Sequence, residues 1–197
     1  PTRIRSSLTN STHKTPTIST MKMKTQLLFD LESTGLLRKG STIHCIVMRG
    51  IEEESEPQVF DYDPERAIIQ GVKQLERADA LIGHNIINFD IPLIKEQFPD
   101  FEFHGELIDT LVLSRLYYPH IMDRDYERRP DGMPQKLYGR HSLEAWGYRL
   151  KCFKGDFGKH DGCWETYTPE MLSYCIQDTE VTQKLYQMML RRMKTYA

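Results

Sequence analysis

Carboxylates embedded in apolar runs constrain this chain more than any other feature. Asp30 and Glu32 lie in Leu27-Leu28-Phe29-Asp30-Leu31-Glu32, which reads as a buried strand. Asp90 closes Gly83-His84-Asn85-Ile86-Ile87-Asn88-Phe89-Asp90, and Asp178 closes Tyr174-Cys175-Ile176-Gln177-Asp178. A buried carboxylate is costly unless it is paired or binds metal. Four of them from three distant segments suggest one hard-cation site, and such a site points to phosphoryl transfer. Residues two apart on a strand share a face, which joins Asp30 to Glu32. Residues four apart on a helix do the same for Tyr174 and Asp178. Oxygen-only ligands select Mg²⁺ or Mn²⁺ over zinc, and two such ions roughly 3.5–4 Å apart would clamp the attacking and leaving oxygens of a phosphodiester. Taken singly, each piece has a plainer reading: an edge pair, a helix cap, a solvated acid, a core aromatic. The joint order favours the site.

The surrounding pattern is α/β. Gln26–Leu31, Ile43–Arg49, Gln58–Tyr62, Ala80–His84 and Leu107–Asp109 read as strands. Asp63 and Pro64 start a helix running to about Arg77. Further helices are predicted over Asp90–Phe98, Thr110–Tyr117, Ser142–Lys151 and from Thr168 to about Lys194. Residues 119–140, with three prolines, two glycines and many charges, read as a long loop, and residues 153–167 as a Gly- and aromatic-rich loop.

Length and composition suit one globular domain, and no run is long enough to cross a bilayer. The four cysteines form no CxxC pair, and free thiols in a cytoplasmic setting are the simplest reading. The net charge of −2 conceals an asymmetry. Residues 1–26 carry five basic residues and no acid, leaving 21 basic against 28 acidic residues elsewhere, a net of −7. So acidic a body needs local cations or a partner to handle nucleic acid. Residues 1–24 are expected to be a disordered tail, with residues 25–197 the folded domain. The tail reads as an upstream remnant with Met21 or Met23 as the start, as a flexible extension, or as an organellar targeting segment; the first is favoured.

Asp30-x-Glu32 with Thr34-Gly35, then Asn85-x4-Asp90, then Tyr174-x3-Asp178 resemble the three motifs of the DnaQ-like DEDD exonuclease superfamily, tyrosine subclass. Asp109-Thr110-Leu111-Val112-Leu113-Ser114-Arg115-Leu116 and Leu143-Glu144-Ala145-Trp146-Gly147-Tyr148-Arg149-Leu150 narrow the likeness to proofreading domains of phage T-seven-type family A DNA polymerases, over roughly residues 26–193. The resemblance implies an RNase H-like α/β fold with a central mixed five-stranded sheet flanked by helices. It implies Asp30, Glu32, Asp90 and Asp178 as metal ligands and Tyr174 as the group orienting the attacking water. Thr34, Leu36, Asn85 and Phe89 become candidates for holding the terminal nucleotide, although Leu36 and Phe89 could equally be core. Asp109 fits a supporting acid near the site or a helix cap before Thr110.

The leading expectation is therefore a two-metal 3′–5′ exonuclease on single-stranded DNA ends, a proofreading component of phage-type origin. The same chemistry on RNA is one alternative, and a non-catalytic nucleic-acid-binding or polymerase-docking module is another. The chain ends after the last motif helix, so a separately encoded polymerase domain is an expected partner and thioredoxin is not. Arg115, Arg124, Arg128, Arg129, Lys136 and Arg140 are expected either to hold the strand or to belong to a solvated loop.

Overall fold

The computed structural model describes residues 24–35, 40–152 and 162–196. The amino-terminal tail up to residue 23, Leu36 and residues 153–161 lie outside them. Five strands form one sheet: β1 (Gln26–Ser33), β2 (Ile43–Arg49), β3 (Gln58–Phe60), β4 (Ala80–Gly83) and β5 (Glu106–Asp109), in the order β3-β2-β1-β4-β5. The first three pair antiparallel, and β4 and β5 add on parallel to β1. Among the described residues, six α-helices surround the sheet: α1 (Ile68–Glu76), α2 (Asp90–Gln97), α3 (Thr110–Tyr117), α4 (Ile121–Arg128), α5 (Leu143–Arg149) and α6 (Pro169–Tyr196). This is the expected RNase H-like α/β architecture.

Side-chain alternation on β1 and β2 decides what faces what. Phe29 and Leu31, with Ile46 and Met48 of β2, pack on one face against Val72 and Leu75 of α1 and Leu93 and Ile94 of α2. Leu28 faces the other way, toward Tyr186 of α6, and Cys45 and Val47 meet Cys175 of α6. The period of two therefore sends Asp30 and Glu32 to the α6 face. Each fully buried apolar side chain contributes roughly 1.5–3 kcal/mol, so this parity is strongly fixed.

Polar contacts set the position of α6 along the sheet. Arg49 of β2 donates to Thr179 Oγ1 at 3.1 Å and to the Ile176 carbonyl at 3.4 Å. Gln183 and Gln187 donate to the carbonyls of Gly50 and Ile51 at 3.1 and 2.8 Å. The Thr168 hydroxyl caps the start of the helix by accepting from the Met171 N–H.

Two segments differ from the sequence reading. Residues 119–140 contain α4 and a short 3₁₀ turn at Gln135–Leu137. Pro119 and Pro130 fall outside the helix that they flank, and Asp125 within it is buried, accepting a bidentate pair of bonds from Arg149 of α5 at 2.9 and 2.7 Å. The predicted helix from Asp63 to Arg77 is split. Asp63 caps a 3₁₀ turn at Pro64–Arg66, Ala67 is extended and bridges Asp61, and α1 begins only afterwards.

Candidate active site

β1 brings Asp30 and Glu32 to the α6 face near the end of the strand. Their cross-strand partners are Val47 and Cys45, and the register shifts immediately after Glu32. The shift lies where the hairpin closes, through Thr34 N–H to the Thr42 carbonyl and Thr42 N–H to Thr34 Oγ1, both 3.0 Å. The Thr34 hydroxyl is thus engaged in shaping the hairpin, on an exposed residue.

α6 supplies Tyr174, Cys175 and Asp178. The Tyr174 hydroxyl hydrogen-bonds the Asp178 carboxylate. The Cys175 thiol donates to Asp30 Oδ2 at 3.7 Å. Asp30, Glu32 and Cys175 can place one ligand atom each within 4.8 Å of one another. Burial, then a hydrogen bond with Cys45, holds the Cys175 thiol well above its ordinary range.

Asp90 arrives from the opposite side of β1, at the first turn of α2. Gly83 must be glycine, because a Cβ there would lie 2.2 Å from Ile86 Cγ2 and 2.9 Å from the Phe29 carbonyl oxygen. Asn85 follows in the left-handed region with φ 70°, a conformation asparagine tolerates. Asp109, at the end of β5, secures this turn. It accepts from Asn85 N–H at 2.9 Å and Ile87 N–H at 3.2 Å, and also caps α3 through Leu111 and Val112. Both readings of Asp109, supporting acid and helix cap, therefore describe the same side chain. The Asp90 carboxylate comes up beside the Leu31 backbone of β1.

The electrostatics are those of crowded, desolvated acids. Burial first, then Asp90 and Asp178, raises Asp30 well above the ordinary carboxylate range. Burial, then Asp30 and Asp178, does the same to Glu32. Burial pushes Asp90 up to about 7, with Asp109 adding to it. Burial also pushes Asp178 up to about 7 against the pull of the Tyr174 hydrogen bond. Tyr174 is itself raised, by burial first and then by Asp178, Glu32 and Asp30.

This donor set fits a divalent cation. Asp90 Oδ1 is buried with no hydrogen-bond partner, a lone pair left over for something absent from the protein's own bonds. Asp30 interacts electrostatically with Asp90 and with Asp178, and a cation would relieve the mutual repulsion of these hard oxygen donors.

Beside Glu32 opens a cleft of about 290 Å³ bordered by Ser33, Gly35, Phe89 and Trp164. Phe89 stands at its edge, half-buried, and also packs against the core. Trp164 and Cys175 are functional candidates that the sequence reading missed. The Trp164 ring packs edge-on against Tyr174 at 5.8 Å, and His44 of β2 contacts the Trp164 carbonyl at 3.1 Å. Cys175 could have been found from its place beside Tyr174 in the motif; Trp164 lies in a loop without periodicity.

The order and direction of the five strands are those of an RNase H-like domain. The chain belongs to the RNase_H superfamily, whose model matches residues 27–128. It is 33% identical over 189 residues to the DNA-directed DNA polymerases of Enterobacteria phage T3 and Escherichia phage T7. Those alignments cover 83% of this chain and 26% of each polymerase, so the chain spans about a quarter of the length of these relatives. Among solved structures, Brucella melitensis NrnC is similar with a TM-score of 0.60 and 15% identity, covering 88% of this chain and 75% of that one. NrnC has also been solved bound to pGG and with bound Mg²⁺.

Proposed function

We propose that this chain is a 3′–5′ exonuclease that removes nucleotides from single-stranded DNA ends, the proofreading component of a phage-type DNA polymerase. The observation that carries the reading is the convergence of Asp30, Glu32, Asp90 and Asp178 from three elements, with Asp90 Oδ1 left unsatisfied. The likeness to the phage polymerases favours DNA as the substrate and a polymerase domain as the partner.

Asp30, Glu32, Asp90 and Asp178 would hold two Mg²⁺ or Mn²⁺ ions. Bound there, the ions would supply positive charge where the phosphodiester oxygens become more negative. The residues do the rest. Tyr174, its pKa raised, stays protonated at neutral pH and is an orienting donor rather than a base. Its bond to Asp178 fixes the hydroxyl toward the carboxylates. Phe89 and Trp164 offer aromatic surface to a terminal base at the mouth of the cleft, where stacking contributes about 1–3 kcal/mol per base. Asn85, Thr34 and Leu36 complete the proposed nucleotide-holding set.

End-labelled single-stranded DNA and RNA, incubated with Mg²⁺, Mn²⁺ or EDTA, test this. Stepwise shortening from the 3′ end of DNA, abolished by EDTA, is the expected result. Preferential digestion of RNA would reassign the substrate. Metal-dependent binding without cleavage would reduce the chain to a docking or binding module.

A further inference from the structure

We propose that a cavity between α4, α5 and α6 is a second nucleic-acid subsite, taking a phosphate-bearing nucleotide unit of the strand away from the reacting bond. This inference rests on the nuclease reading above. The cavity has a volume of about 410 Å³, within the range of sites that hold a nucleotide-sized ligand. It is lined by Arg124, Arg128, Arg129 and Lys151 together with the aromatic residues Trp146 and Tyr148. Met188 of α6 also borders it, ten residues beyond Asp178 and therefore about 15 Å along the helix from the carboxylates.

Its charge is opposite to that of the chain. Asp125 and Arg149, also at this cavity, neutralise each other in a buried bidentate pair. That leaves the four cations against one acid, Asp131, in a protein whose net charge is −2. Two of the four stand where a side chain is unfavourable. Arg129, just after α4, has φ 46°, and Lys151, two residues after α5, has φ 56°. Glycine is the ordinary occupant of such left-handed helix ends. The helix dipole favours a cation at each end, but it does not make two separate helix ends converge on one cavity. Strained residues that gather in this way mark a site where the side chain itself is used.

Aromatic rings stand beside these cations, Tyr148 partly exposed and Trp146 and Tyr118 buried beneath guanidinium groups. The Arg149 guanidinium lies 4.9 Å over the Trp146 ring, and that of Arg124 lies 5.2 Å over Tyr118. Cations beside aromatic rings are the pairing that takes a phosphate and a base together. A nucleotide unit of the strand and a free mononucleotide share this chemistry. The separation from the carboxylates favours the strand, whose end and interior can occupy both places at once.

The test uses the full chain carrying Arg128→Gln, Arg129→Gly and Lys151→Gly. The two glycines relax the left-handed backbone, so the variant should melt no lower than the parent. In EDTA, binding of a labelled single strand of about 12 nucleotides should weaken about tenfold or more, and the slope of log Kd against log salt should flatten by about 2. Unchanged affinity and slope would overturn the proposal, whatever the enzyme cleaves. In Mg²⁺, the variant should digest a dinucleotide at the parental rate while its KM for the long strand rises. An equal loss on both lengths would place these residues in the reaction site and overturn the proposal. Absence of any cleavage by the parent would instead count against the nuclease reading, leaving the EDTA measurement to decide the subsite. For the free-nucleotide source, a Trp164→Phe background leaves Trp146 as the sole tryptophan. An emission change with dAMP that the long strand fails to compete away would overturn the assignment to the strand.

Discussion

Asp109 Oδ1 lies 2.9 Å from the backbone nitrogen of Asn85, across 24 residues of sequence. The bond exists because β4 and β5 run parallel with Gly83 opposite Asp109, which brings the end of one strand to the turn that leaves the other. One carboxylate thereby caps α3 and shapes the turn that delivers Asp90. Asp109→Ala removes a cap worth about 1 kcal/mol and strands turn N–H donors at about 1–3 kcal/mol. The expected result is a clear fall in the denaturation midpoint together with a loss of nuclease rate larger than the same destabilisation causes elsewhere. Asp109→Asn, which keeps one acceptor oxygen, should recover most of the stability.

Asp30→Asn and Asp178→Asn each remove a proposed cation ligand and should lower the cleavage rate by about three orders of magnitude or more. In EDTA both variants should be at least as stable as the parent, because each relieves repulsion among buried acids. Single-turnover rates and melting curves check the two halves.

Stability without metal should fall as pH rises. Asp90 and Asp178 titrate near 7 in the folded protein against 3.8 as the ordinary value, so the folded state holds more protons between those limits. Their contribution is fully present below about pH 4 and is lost as pH rises through 7. The melting temperature in EDTA should therefore decline across that window from this source. Mg²⁺ should raise it more at pH 8 than at pH 5, because the ion binds the ionised form.

Tyr174→Phe keeps the ring against Trp164 and deletes the hydroxyl that bonds Asp178. The rate should fall by about 10–100-fold with KM little changed, since an orienting group acts mainly in the transition state. A pH–rate profile whose limbs match the parent's would agree with an orienting rather than a basic role.

The Asp125–Arg149 pair is buried, with both side chains under 10% exposed. Asp125→Ala leaves a buried guanidinium unpaired and should cost about 3–5 kcal/mol. Replacing both, as Asp125→Leu with Arg149→Met, should recover much of that loss. Denaturant titration of the parent, Asp125→Leu, Arg149→Met and their double variant closes the cycle.

Features governed by local period were legible in the sequence. The two-residue spacing of Asp30 and Glu32 and the four-residue spacing of Tyr174 and Asp178 each fix a shared face without knowledge of the fold. What escaped depends on distant partners. α4 was hidden between prolines because its buried Asp125 makes sense only beside Arg149, 24 residues on. Cys175 meets Asp30 only because Arg49 and the glutamines of α6 hold that helix at one height over β2. The cavity cations were visible as a scatter of charges, but their convergence needed α4 and α5 to end at the same place.

β4 is only four residues long and pairs with β1 through Gln26, Leu27 and Leu28 alone. Past that point β1 runs on without its parallel neighbour, and the Asp90 carboxylate comes up beside the Leu31 backbone instead. Three more residues of β4 would extend the ladder across the place where Asp90 now meets β1. An ordinary sheet thus acquires a notch for a buried acid because one strand stops early, and the shortness of β4 shapes the candidate site as directly as any acid in it.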